Sequence, residues 1–100
     1  MYLLQGKMNA QTGKSNELSQ ILLEASKLVS TAKGCKLYLI AKDEHDTDAV
    51  YVTEIWESKE DHDHSLNMPG VRELIMRAMP LLNGQPTKGQ ELEVLGGFCP

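Results

Sequence analysis

The chain has 100 residues, with 14 Asp and Glu against 10 Lys and Arg, a formal net charge of −4 and two cysteines. That is enough to bury roughly two thirds of the unfolded surface around one core, so residues 1–100 are expected to form a single domain. No basic run offers a surface to nucleic acid or anionic lipid, no apolar stretch approaches a membrane span, and the start, Met1 to Lys7, lacks the features of a signal peptide.

Cys35 and Cys99 are too few for a disulfide framework. The expectation is two free thiols in a reducing cytoplasm, with a Cys35–Cys99 bridge finding no support in the sequence.

Residues 1–9 alternate, Tyr2, Leu4, Gly6 and Met8 against Leu3, Gln5, Lys7 and Asn9, which predicts a strand. Gly6 within it leaves room for a close neighbour or a ligand. Residues 10–15 are turn-like, and Ser15 is a candidate N-cap. Leu18, Ile21, Leu22, Ala25, Leu28 and Val29 then form the apolar stripe of an amphipathic helix, and Gly34 is placed to cap its C-terminal end. Residues 35–42 predict a second strand, with Cys35, Leu37, Leu39 and Ala41 on one face and Lys36, Tyr38, Ile40 and Lys42 on the other. Residues 43–48, Asp-Glu-His-Asp-Thr-Asp, read as a hairpin loop. They lack the glycine and closing glutamate of an EF-hand loop, and His45 is expected to be exposed.

Val50 to Leu82 organises the rest. Val50, Val52, Glu54 and Trp56 alternate with Tyr51, Thr53, Ile55 and Glu57, and β-branched and aromatic residues are dense, as in a strand. Ser58, with Asp61 three positions on, is a candidate N-cap and first turn of a helical arm. Pro69 is a second start signal. Val71, Leu74, Ile75, Ala78, Leu81 and Leu82 recur at helical spacing, and Pro80 is expected to kink or end that helix. Asn83 to Pro86 read as a loop, and residues 89–98 as a last strand loosened by Gly96 and Gly97. The order β-α-β-β-α-β is the split βαβ arrangement, ferredoxin-like, an α+β fold with an antiparallel sheet. The more uniformly apolar strand faces, including Trp56, are expected to meet the helices. The second face, with Leu3, Tyr38, Ile40, Tyr51, Ile55 and Leu95, carries enough apolar surface to predict a homodimer formed sheet against sheet.

The run Glu54-Ile-Trp-Glu-Ser-Lys-Glu-Asp-His62, followed by Leu66, Pro69, Val71 and Leu74, resembles the signature of the antibiotic biosynthesis monooxygenase family. The resemblance is sharpest over Glu54 to Leu82 and extends as element order over the whole chain. It implies a ferredoxin-like fold that dimerises through its sheets into a dimeric α+β barrel. It leaves the activity open, since some members oxygenate quinols or anthrones without metal or flavin, others degrade haem, and others have no known activity. The matches are residue-specific. Trp56 is retained. Where anthrone oxygenases carry a tyrosine and an asparagine, this chain has His62 and Val52. The asparagine, tryptophan and histidine of haem-degrading members align with Gly6, Ser65 and Ile75, so the resemblance implies no haem, and no other cofactor is expected.

Trp56 and His62 lead the candidate site. They are placed to face each other across the mouth of a pocket between sheet and helices, Trp56 as a flat wall for an aromatic substrate and His62 as acceptor of a phenolic proton. The alternative makes Trp56 a core anchor and His62 a boundary residue. Glu54 shares a face with Trp56. It is a candidate base if that face lines the pocket, because burial raises a carboxyl pKa; otherwise it is a strand-edge carboxylate paired with a lysine. Val52 and Gly6 are further candidate substrate contacts. So are Tyr38 and Tyr51, which cross-strand packing at a dimer interface explains equally well. Met8, Met68, Met76 and Met79 either line an adaptable pocket or pack in the core. Asp61 to His64 is read as a solvated acidic face and not a metal site, since His62 and His64 diverge on a helix and the single pair Glu60 and His64 falls short of one.

The function expected is that of a cytoplasmic enzyme, a cofactor-independent monooxygenase acting on a quinol- or anthrone-like aromatic. Glu54 and His62 are then the catalytic candidates, and a small aromatic or hydrophobic molecule is the partner. One alternative is a non-enzymatic dimeric binding module for a small hydrophobic metabolite. Another is an isomerase on the same fold, with Glu54 and His62 as an acid–base pair on a small carbonyl compound.

Overall fold

The computed structural model describes residues 1–84 and 89–98. The predicted loop from Asn83 runs into residues outside that set, and Cys99 also lies outside it. Four strands and three α-helices follow in the order β1 (Tyr2–Asn9), α1 (Ser15–Val29), β2 (Cys35–Asp43), β3 (Asp46–Trp56), α2 (Lys59–Ser65), α3 (Val71–Ala78) and β4 (Gln90–Glu93), with a 3-10 turn over Met79–Leu81. The strands form one antiparallel sheet in the order β2-β3-β1-β4. The α+β ferredoxin-like expectation is met. Among the described residues, no helix is long and apolar enough to cross a membrane.

The local signals act as their chemistry demands. The α1 stripe buries Leu18, Ile21, Leu22, Ala25 and Val29 against the sheet, while Leu28 stays partly exposed. Ser58 caps α2 by accepting from the Asp61 backbone N–H at 3.2 Å, which satisfies one of the free donors at a helix start. Pro80, unable to extend α3, sits inside the 3-10 turn that ends the arm. Ser15 begins α1 instead of capping it, and α3 starts at Val71, two residues past Pro69. The acidic hairpin turns on its own side chains: Asp43 Oδ1 accepts from the His45 N–H and Asp46 Oδ1 from the Asp48 N–H, as Asx turns do.

Gly34 lies beyond the end of α1, in the turn into β2, with φ +84°. A Cβ there would run into the Asp61 carboxylate. Gly34→Ala is therefore expected to cost at least about 1–2 kcal/mol for the left-handed backbone alone. Thermal melting measures this, and a variant melting with the parent would show that the turn relaxes freely.

Val50, Val52, Glu54 and Trp56 face the helices and are buried, as expected. On β2 the faces differ from expectation. Cys35 pairs with Trp56 and Leu37 with Ile55, so Lys36 is an extra residue, a β-bulge. Beyond it Tyr38 stands opposite Glu54 and Ile40 opposite Val52. Directly paired residues share a face, so Tyr38 and Ile40 turn toward the helices, and Leu37 and Leu39 take the outer face. β4 is also shorter than predicted, with four residues, all exposed. Among the described residues its only partner strand is β1. Leu95 and Phe98 follow it, both exposed.

Candidate functional site

The core divides into two clusters. One is built from Ala10, Leu18, Ile21, Leu22, Ala25, Val50, Val52, Leu74, Ala78 and Leu82. The other holds Val29, Trp56 and Val71, with Tyr2, Ala32, Cys35, Tyr38 and Met68 against them. Between sheet and helices lies a cavity of about 270 Å³, just under the roughly 300–1,000 Å³ common for pockets that hold drug-sized ligands.

Small residues keep this space open. Gly6 lines it, and a Cβ on Gly6 would meet nothing within 4 Å. Ala25, Ala78 and Gly89 border it as well. Gly89 has its own reason to be glycine, since a Cβ there would collide with the Gln5 carbonyl of β1. The sheet supplies a flat wall of two rungs, Leu4–Glu54–Tyr38 and Gly6–Val52, extended by Met8. The helices supply the opposite wall. Leu66, Ile75 and Met79 line the cavity and yet are 43 %, 40 % and 46 % exposed, so they form an apolar mouth.

Glu54 is the only carboxylate among the described lining residues. It is 8 % exposed. Burial pushes its pKa above the ordinary carboxylate value of 4.5, while the hydrogen bond from Trp56 and the nearby His62 pull the other way. The Trp56 Nε1–H donates to Glu54 Oε1 at 3.0 Å. His62 Nε2 stands 3.8 Å from the same oxygen, and His62 Nδ1 lies 3.0 Å from Asp63 Oδ1. Burial, and then the charge of Glu54, raises the Tyr38 hydroxyl pKa and also that of the Cys35 thiol. Cys35 is thus held away from the reactive thiolate form.

The predicted residues separate on this geometry. Glu54, Val52, Gly6 and Tyr38 meet at the cavity. Trp56 and His62 meet each other, edge to face with ring centroids 5.8 Å apart, but neither lines the cavity. The Trp56 ring is fully buried in the second cluster, and the His62 ring packs between it and Tyr2. Tyr51 lies on the outer sheet face with Lys7 Nζ 5.9 Å from its ring centre. Met8 and Met79 line the cavity, Met68 packs in the cluster of Trp56, and Met76 is exposed.

Residues not anticipated are Leu4, Ser65 and Gly89 in the wall and Asp63 beside His62. Alternation does put Leu4 on the face of Gly6. Only the fold brings Ser65 and Gly89 there.

Residues 1–76 match the family model described as antibiotic biosynthesis monooxygenase. No curated protein matches the chain. Among solved structures, a candidate antibiotic biosynthesis monooxygenase from Chloroflexus aurantiacus is 37 % identical. The match covers 98 % of this chain and 96 % of that one, with a TM-score of 0.87. A second candidate of the same description, from Deinococcus radiodurans, is 23 % identical over 100 % of this chain and 98 % of that one, with a TM-score of 0.83. A third, from Nitrosomonas europaea, shares the fold at 12 % identity, covering 94 % and 89 % with a TM-score of 0.88. A profile match over three quarters of the length and this likeness to the Chloroflexus protein lead to one conclusion: the chain belongs to the antibiotic biosynthesis monooxygenase family.

Proposed function

We propose that the chain is a cytoplasmic, cofactor-independent monooxygenase acting on a small, flat, uncharged aromatic of the quinol or anthrone class, with Glu54 as its base. The observation that carries this reading is one buried carboxylate in the wall of an apolar cavity of about 270 Å³. Such a cavity takes a two- or three-ring molecule edge-on through the mouth at Leu66, Ile75 and Met79. No Lys or Arg lines it among the described residues, so an anionic substrate would find no partner there.

The chemistry is balanced without an outside reductant. The Glu54 carboxylate takes a proton from the activated C–H or O–H of the substrate. A carboxyl with its pKa raised toward the working pH is a stronger base than an exposed one. The resulting carbanion or phenolate passes one electron to dioxygen. The radical pair then joins as a peroxide, which takes up a proton and loses water to leave a carbonyl. One oxygen atom stays in the product and one leaves as water, the methylene carbon being oxidised and dioxygen reduced. Tyr38, its hydroxyl kept protonated by burial, would donate a hydrogen bond to a substrate oxygen. Trp56 acts from behind, holding the Glu54 carboxylate by its N–H.

Oxygen uptake by the metal-stripped protein over a panel of anthrones and naphthoquinols tests the reading. Uptake well above autoxidation is expected. A flat response across the panel would favour the second reading, a binding module, which the wholly apolar mouth also suits.

The homodimer is part of the same proposal. The outer sheet face presents Leu3, Leu37, Leu39, Tyr51, Ile55 and Leu92, with Leu39 54 % and Leu92 46 % exposed. A large apolar sheet face calls for a partner. Light scattering at micromolar concentration is expected to give twice the chain mass, and Leu39→Glu to give monomer. A monomeric parent protein would remove the sheet-to-sheet interface.

A further inference from the structure

We propose that His62 and Asp63 form the proton exit of Glu54, a path from the cavity wall to solvent that runs through α2 and not through the mouth. The inference rests on the reading of Glu54 as base. A flat apolar ligand in the cavity would plug the mouth at Leu66, Ile75 and Met79. The proton collected by Glu54 then has to leave through protein.

Three groups stand in sequence. Glu54 Oε1 faces His62 Nε2 at 3.8 Å, and His62 Nδ1 lies 3.0 Å from Asp63 Oδ1. Exposure rises along the path, from 11 % and 13 % for the Glu54 and His62 side chains to 54 % for that of Asp63. A carboxylate only accepts, so Asp63 fixes the hydrogen of the neutral imidazole on Nδ1 and leaves the Nε2 lone pair toward Glu54. The same logic orients the histidine of a Ser-His-Asp triad. The gap of 3.8 Å is longer than a hydrogen bond, as catalytic contacts often are before ligand binds.

The rest of the surroundings hold the ring without competing for the proton. Tyr2 and Trp56 pack on it, and Ser65 Oγ donates to the His62 carbonyl at 2.6 Å, fixing the helical turn. From β1 the Tyr2 hydroxyl donates to Glu91 of β4 at 3.0 Å, and its pKa is pushed up to about 12, chiefly by burial. From β2, Tyr38 and Cys35 are both held protonated by burial. Imidazole is the side chain among these types that exchanges a proton readily near neutral pH.

In the transfer the Glu54 O–H bond breaks as an N–H bond forms on His62 Nε2. The imidazolium then gives its Nδ1 hydrogen to Asp63 or to water beside it. The net result is one proton moved from cavity to solvent, Glu54 returned to its ionised form and the imidazole hydrogen left on Nε2; a half-turn of the ring then faces that hydrogen to Asp63 and a lone pair to Glu54 before the next turnover.

His62 and Asp63 are positioning residues here, so the test needs a signature that packing alone would not move. Long-range proton–nitrogen NMR on isotopically labelled protein reads the imidazole tautomer directly, whether or not the protein turns over. The parent is expected to carry the hydrogen of neutral His62 on Nδ1. Asp63→Ala, at an exposed site, is expected to shift the population toward Nε2–H. On an anthrone substrate the same variant should lose kcat on the order of tenfold, the scale of one charge-assisted hydrogen bond, with KM unchanged and the loss recovered by added imidazole buffer. A parent with the hydrogen on Nε2, or an Asp63→Ala variant with unaltered tautomer and turnover, overturns the exit. Absence of oxygen uptake by the parent, with the tautomer as expected and dependent on Asp63, overturns only the monooxygenase reading and supports the wiring of the three groups.

Discussion

Glu54→Gln is expected to lower oxygen uptake on the best anthrone or quinol substrate by about 10²–10⁴-fold, the usual contribution of a positioned general base. Glutamine keeps the shape and can still accept from the Trp56 N–H, but it cannot take a proton at working pH. Activity of the parent should rise with pH through the Glu54 pKa, because the ionised form is the base. That limb lies above the ordinary carboxylate value of 4.5, since burial is the largest influence on the group. Stability should move in the opposite sense. A carboxyl whose folded pKa exceeds its unfolded one binds its proton more tightly in the folded state. Its contribution is fully present below the unfolded pKa and is lost as pH rises through the folded one. Glu54→Gln removes that dependence, so the variant should melt no lower than the parent at neutral pH while losing turnover. Retention of turnover within a few-fold of the parent would exclude Glu54 as base.

Trp56→Ala is expected to be the most damaging single change to the fold. The indole is fully buried between Val29 and Val71, with Cys35, Tyr38 and Met68 around it. Truncating a buried tryptophan costs roughly 3–5 kcal/mol, against a total stability of about 5–15 kcal/mol for a domain. It also strips the N–H from a buried carboxylate. The melting temperature should fall on the order of 20 °C. Trp56→Phe divides the two effects. It keeps most of the packing and loses only the hydrogen bond that holds the Glu54 pKa down, so the acid limb of the activity profile should move to higher pH. A Trp56→Ala protein that melts within a few degrees of the parent would show that this cluster is not a stability centre.

The order of elements was legible because each carries its own period. Val50 to Trp56 alternates, Leu18 to Val29 repeats every three or four residues, and Ser58 announces its helix. The face of β2 was not legible. Lys36 is an ordinary strand residue, and nothing in its neighbourhood marks it as the extra one; pairing with β3 decides it. The outer end of β4 was overextended because Val94 and Leu95 look like strand, whereas the strand ends at Glu93 and only one further backbone bond, from the Val94 N–H to the Met1 carbonyl, follows it among the described residues. Glu54 stood out in the sequence as a charge on an apolar face. The cavity did not, because it is made by the coincidence of Gly6, Ala25, Ala78 and Gly89 from four separate parts of the chain. Local spacing placed Trp56 and His62 across the mouth of a pocket, whereas the two rings pack on each other away from the cavity lining. Asp63 was read only as part of a solvated acidic face, yet its short side chain reaches the adjacent ring of His62.

The two walls of the cavity differ in stiffness. Glu54 stands on β3, a strand hydrogen-bonded on both sides by β1 and β2, while Leu66, Ile75 and Met79 project from short helical segments with much of their surface in water. Substitutions on the helical side can reshape the space without disturbing the backbone that aims the carboxylate. Libraries built to alter what the cavity holds therefore belong on those three positions, which can change without moving the strand that carries Glu54.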